Sequence, residues 1–216
     1  MNLAKENKFS LVITPVLFVS GILLFAAFPR GPGKIFSVSY AGLLLAAIII
    51  AFNIRKPRDL LTGFGLNAIS REKYHLFLAG LLTGLLFATI YRQVLDLSMI
   101  PAKLTWFVFT AAAIGFTEEL LFRGFLQTRL RKISIFWSVV LATLSHTAYK
   151  VLLFAALRPV FEVNLLFLLF WTFTCGLIFG ILKERSGSTL TPAAGHVAFD
   201  ILVYGDRALI PWWIWA

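Results

Sequence analysis

Residues 116–123 read FTEELLFR, so Glu118 and Glu119 stand side by side in an apolar run, with Arg123 four residues after the second. Further along, other apolar runs are interrupted by His146 and Lys150, and then by His196 and Asp200. Ionisable groups inside hydrocarbon are costly, and by default they mark functional sites. A glutamate without a cation partner in an apolar site suits a general base, and groups from three helices that converge at one depth mark a functional polar site.

Helical spacing sorts them. Glu119 and Arg123 are four apart and share a face, as do His196 and Asp200. Glu118 lies about 100° round the helix from Glu119 and about 140° from Arg123. On this reading Glu119 and Arg123 brace the helix. Glu118 has no cation in its own helix and is left for chemistry as the general base. Lys150 is four residues from His146 but is long enough to extend outward to the membrane surface instead, so it stays outside the candidate set. Ser145, beside His146, has no nucleophile pattern around it. Depth adds a check. Glu118 precedes Lys132 by 14 residues and His146 follows it by 14. With a helical turn near Arg131-Lys132, both lie about 21 Å from the turn and can meet. His196 follows Gly187 by nine residues and enters from the same side. Glu118, Glu119, His146, His196 and Asp200 are therefore expected to line one cavity open toward the side of these turns.

The elements that hold these groups are membrane helices. Of 216 residues, 59% are hydrophobic, and the mean hydropathy is +0.86. Apolar segments run over about 11–28, 35–52, 75–95, 104–126, 134–155, 163–182 and 188–205, which gives an all-α, polytopic bundle with about seven spans. We divide the chain into an N-terminal two-span region with an amphipathic connector (1–74), a helical core (75–205) and a Trp-rich interfacial tail (206–216). The first apolar run reads as a retained span rather than a signal peptide. Cys175 is the one cysteine and reads as a packing residue, with no partner for an intramolecular disulfide.

The net charge of +10 sits in short loops, so it reports topology rather than nucleic-acid binding. A cytoplasmic N-terminus places Lys5, Lys8, Arg55, Lys56, Arg58, Arg71, Lys73, Arg129, Arg131, Lys132, Lys183 and Arg185 inside. It leaves only Arg30, Lys34, Arg92, Lys103, Arg158 and Arg207 outside, which favours this orientation.

At this point the sequence resembles the CAAX protease and bacteriocin-processing family, also called Abi, of glutamate-dependent intramembrane endopeptidases. EELLFR fits its EExxxR motif, LATLSH with His146 fits its second motif, and HVAFD resembles its third, HxxxN. The resemblance covers about residues 75–205. Ala142 stands at the phenylalanine position of the second motif, and Asp200 stands where asparagine is usual. The resemblance implies a catalytic set of Glu118, His146, His196 and Asp200. Glu118 and His146 would activate water, His196 and residue 200 would stabilise the oxyanion, and Glu119 and Arg123 would give structural support. It also implies a membrane-associated or lipidated substrate: a prenylated tail, a bacteriocin leader, or a membrane-anchored C-terminal sorting segment of the kind linked to small bacterial members. A bacterial inner membrane is the expected location.

Other protease chemistries fit less well. The chain has no HExxH helix and no GxSG serine site, and Tyr204-Gly205-Asp206 is not a GxGD motif. No cofactor is expected, although Glu118, His146, His196 and Asp200 are all chemically competent metal ligands. Two other readings stay open: a non-catalytic membrane binding protein of the same fold, and a proton-coupled carrier, whose Glu/His relays look similar. A carrier would be supported by inverted repeats, and none is evident.

Overall fold

The computed structural model describes residues 8–28, 38–54, 56–156 and 164–206. The Trp-rich stretch of the expected tail and the loop cations Lys5, Arg30, Lys34, Arg55, Arg158 and Arg207 lie outside the described residues. Among the described residues every regular element is a helix. In order these are α1 (Lys8–Ala27), α2 (Val38–Asn53), α3 (Pro57–Gly63), α4 (Tyr74–Val94), α5 (Phe107–Glu119), α6 (Thr128–Leu130), α7 (Ile135–Ala156), α8 (Leu165–Ser186) and α9 (Leu190–Tyr204). A π-helical segment, Leu120–Gln127, joins α5 to α6 without a break.

Each expected apolar segment coincides with a helix. Among the described residues four helices are long and apolar enough to cross a membrane: Phe9–Ala27, Arg71–Val94 (α4 with the 3₁₀ turn Arg71–Lys73 that leads into it), Ile135–Ala156 and Leu165–Ser186. Val38–Asn53 and Leu190–Tyr204 are apolar but shorter. The chain is thus an integral membrane protein. Large side chains such as Leu82, Phe109 and Phe170 point outward, as lipid contact allows.

The helix ends follow local chemistry. Asn164 caps α8 by accepting a hydrogen bond from the Phe167 N–H at 3.0 Å. Gly187, at φ 75°, ends α8 in the left-handed conformation that glycine adopts without a side-chain clash. The connector after α3 is tied down rather than free. The Thr189 N–H donates to the Gly65 carbonyl at 2.8 Å, and Ser188 Oγ donates to the Asn67 carbonyl at 2.6 Å.

α9 lies between α4 and α5, while α7 packs on α8, and the α1–α2 hairpin docks on α7. α4 and α9 approach through Gly84 and Gly195, where a Cβ on either would run into the other helix's backbone. The main core joins Phe18, Ile22 and Phe25 of α1 to Phe122, Phe125 and Leu126 of the π segment and to Tyr149 and Leu153 of α7. At the other end of the bundle Arg92 is buried. It donates to the Leu202 carbonyl at 2.7 Å and pairs with Asp206 at 3.0 Å, fastening α4 to the end of α9.

Candidate active site

The helix that carries the two glutamates changes pitch immediately after them. Its hydrogen bonding widens to i→i+5 from Leu120, and the six residues Phe122–Gln127 are all buried. No lipid-facing stripe remains there. The widened segment turns Arg123 and Gln127 toward α8. Arg123 Nη2 donates to the Gly176 carbonyl at 3.3 Å, and Gln127 Nε2 donates to the Gly180 carbonyl at 3.0 Å. Donors four apart thus meet glycine carbonyls four apart. Nearer the turn, Glu184 binds Gln127 Nε2 at 2.9 Å, Arg131 Nε at 2.6 Å and Lys183 Nζ at 3.2 Å.

The expected residues meet. Glu118 Oε2 lies 3.1 Å from His146 Nε2 and 3.6 Å from His196 Nε2. Glu119 Oε1 lies 2.9 Å from His196 Nδ1 and 3.4 Å from Arg123 Nη1. His196 Nε2 also faces Asp200 Oδ2 at 3.7 Å. All of these residues are buried. Phe122 stacks on His146, with ring centroids 4.6 Å apart at 26°. With Ala142 one turn before the histidine, the ring against the imidazole comes from the π segment instead.

Arg123 does more than brace Glu119. Its Nη1 lies 2.6 Å from His146 Nδ1. A guanidinium only donates, so Nδ1 accepts and the remaining imidazole proton sits on Nε2, facing Glu118. His146 therefore donates to Glu118.

Two expectations need correction. Glu118 is not without a cation, because Lys150 Nζ lies 2.6 Å from its Oε1. Lys150 does not reach outward: it is 7% exposed. From four residues past His146 on α7, it points the same way across to α5. An ammonium in hydrocarbon gains more from a buried carboxylate than from a distant membrane surface when the carboxylate is within reach. That spacing was the signal in the sequence.

The common cavity is also divided. Arg123, His146, Lys150, His196 and Asp200 line a space of about 50 Å³ with Tyr91, Phe154, Leu168, Trp171 and Tyr204. Those last residues stand at the ends of the helices remote from the Arg131-Lys132 and Gly187 turns, so the space runs away from the turns rather than toward them. Glu118 lines a different cavity, of about 330 Å³, between α1, α2, α5 and α7. Glu119 lines neither. The polar cluster forms the wall between the two.

As a metal site the cluster fits poorly. Among the described residues no three His, Cys, Asp or Glu side chains are placed to hold one ion. His146 Nδ1 is already engaged by a guanidinium, and an ammonium occupies one oxygen of Glu118.

Residues 100–202 match a family model described as Rce1-like, type II CAAX prenyl endopeptidase Rce1-like. The match spans every residue of the cluster, while α1 to α4 precede it. No curated protein and no solved structure matches the chain.

Proposed function

Over residues 100–202 this chain is a member of the Rce1-like type II CAAX prenyl endopeptidase family, and from that premise we propose that it is an intramembrane endopeptidase using a glutamate-activated water. The observation that carries the reading is the Glu118–His146 contact at 3.1 Å, with His196 Nε2 at 3.6 Å from the same oxygen, buried between membrane helices. A water beside Glu118 Oε2 gives up its proton to the carboxylate as its oxygen adds to the scissile carbonyl. His146 holds the carboxylate in place. His196, oriented by Glu119, faces the developing oxyanion together with residue 200. The space of about 50 Å³ on the His146 and His196 side of the wall admits water but little of it, which strengthens the interactions of those groups. No metal enters this scheme.

The substrate is membrane-associated: a prenylated tail, a leader peptide or a membrane-anchored sorting segment. The cavity of about 330 Å³ beside Glu118, lined largely by apolar residues, supports a ligand with hydrocarbon character. We place the chain in the bacterial inner membrane with about seven spans and a cytoplasmic N-terminus, on the loop charges and the resemblance to small bacterial members; reporter fusions in each loop test the topology. A second reading is a non-catalytic binding protein, favoured by the Lys150–Glu118 pair, since a fully paired carboxylate is a weak base.

The deciding experiment uses purified protein in lipid vesicles and three quenched peptides: a farnesylated CAAX tail, a leader peptide and a transmembrane sorting segment. The wild type is expected to cleave at least one of them with a chelator present, and Glu118→Gln is expected to cleave none. Cleavage abolished by the chelator but kept in Glu118→Gln overturns the glutamate assignment. A wild type inert to all three favours the binding protein.

A further inference from the structure

Hydrolysis of an amide has a second requirement beyond an activated water. The departing nitrogen must gain a proton, because an amine anion is too poor a leaving group. The two imidazoles of the cluster are already assigned other tasks. His146 accepts from Arg123 at Nδ1 and donates from Nε2 to Glu118. His196 directs Nδ1 at Glu119, and its Nε2, which faces Glu118 and Asp200, serves the oxyanion on the proposed mechanism. Lys150 is different. Its ammonium carries three donors and forms an ion pair with Glu118 Oε1 at 2.6 Å. It lines the same space as His196 and Asp200, and a smaller space beside it is again shared with Asp200. Lys150 thus stands on one oxygen of Glu118, while both histidines stand on the other.

Building on the endopeptidase reading, we infer that Lys150 is a catalytic residue, the general acid that protonates the leaving amine and is then recharged by Glu118. Water loses a proton to Glu118 as its oxygen bonds to the carbonyl carbon, giving a tetrahedral oxyanion. The oxyanion collapses and the C–N bond breaks. The nitrogen takes a proton from the Lys150 ammonium and departs as a neutral amine. Protonated Glu118 then passes its proton across the 2.6 Å contact to the neutral Lys150 amine, which restores the ion pair. One water is consumed, and the products are one carboxylic acid and one amine. The pair that looks inhibitory at rest is the proton store of the cycle.

The test compares two leaving groups in lipid vesicles: the peptide that the wild type cleaves, and the p-nitrophenyl ester of its acyl half, whose leaving oxygen needs no proton. Lys150→Arg keeps a cation against Glu118 but cannot give up a proton, since the guanidinium pKa exceeds about 12. It is expected to lose about 10²–10⁴-fold in amide turnover and to keep ester turnover within about tenfold. Lys150→Ala is expected to regain amide turnover when ethylamine is added, which covers the case in which arginine does not fit. Glu118→Gln is expected to lose both reactions. Amide and ester turnover falling together in Lys150→Arg, with no amine rescue of Lys150→Ala, reduces Lys150 to a counterion and overturns the inference, as does unchanged amide turnover. A wild type that cleaves neither compound overturns the endopeptidase reading itself, and the inference with it.

Discussion

Arg123 and His146 are joined at 2.6 Å through Nη1 and Nδ1, and the same Nη1 lies 3.4 Å from Glu119. One guanidinium therefore fixes both the second glutamate and the tautomer of the first histidine. Arg123→Ala is expected to destabilise the protein by about 3–5 kcal/mol, because it strands a buried carboxylate. Arg123→Lys keeps the charge but not the fork, so it is expected to fold with lowered stability and to lose most cleavage. Thermal unfolding in detergent checks both, and an unchanged Tm for Arg123→Ala counts against the role.

Glu118→Gln preserves shape and removes the titrating group. Turnover is expected to fall about 10²–10⁴-fold, with KM little changed. Some stability is lost too, since the Lys150 ammonium then faces a neutral amide. Steady-state kinetics on the cleaved peptide give the split between kcat and KM.

On the proposed mechanism His196 acts where charge develops, so His196→Ala is expected to lower kcat far more than it raises KM. Asp200→Asn places an amide donor where a carboxylate now faces His196 at 3.7 Å and removes a negative charge from the oxyanion side. It is expected to raise kcat. A marked fall on Asp200→Asn would show that the acid form of this residue is needed.

Gly84→Ala and Gly195→Ala each place a methyl group against the facing helix's backbone. Overpacking of this kind is expected to cost about 1–3 kcal/mol. Because His196 follows Gly195 directly, the displacement also reaches the cluster. Both Tm and turnover should fall, and a substitution that moves neither would mean that the contact is slack.

The apolar periodicity placed the helices well, because a helix in hydrocarbon must satisfy its own backbone and so announces itself by length and hydropathy. Counting residues from the Arg131-Lys132 turn brought Glu118 within reach of His146, even though the π segment Leu120–Gln127 interrupts the regular α-helical rise between Glu118 and the turn. The part played by Lys150 was not legible for a specific reason. A sequence shows partners within one helix, and the cation for Glu118 comes from the neighbouring helix α7. The π segment was equally hidden. Nothing in LLFRGFLQ departs from α-helical composition, yet the widened turn is what directs Arg123 at three partners on separate helices. The division of the cavity followed from the same limit, because depth alone does not say on which side of a wall a carboxylate opens.

The contact between Gly84 and Gly195 also bears on how the site admits anything as large as a peptide. Two backbones in direct contact have no flexible side chain between them to absorb a sliding motion, so α4 and α9 move as one block, with α5 packed against it. Glu118 reaches His196 of that block through Oε2 and also lines the cavity bounded by α1 and α2. There the neighbours are held by aromatic and aliphatic packing, such as Phe18 on Phe125 with centroids 5.0 Å apart. Side chains of that kind can change rotamer without breaking a backbone bond. The cluster is thus backed by backbone contact on one side and by side-chain packing on the other, and α1 and α2 on the second side lie outside the segment matched to the endopeptidase family model. On the proposed function, selectivity for what enters can therefore diverge in α1 and α2 while the polar cluster on α5, α7 and α9 stays the same.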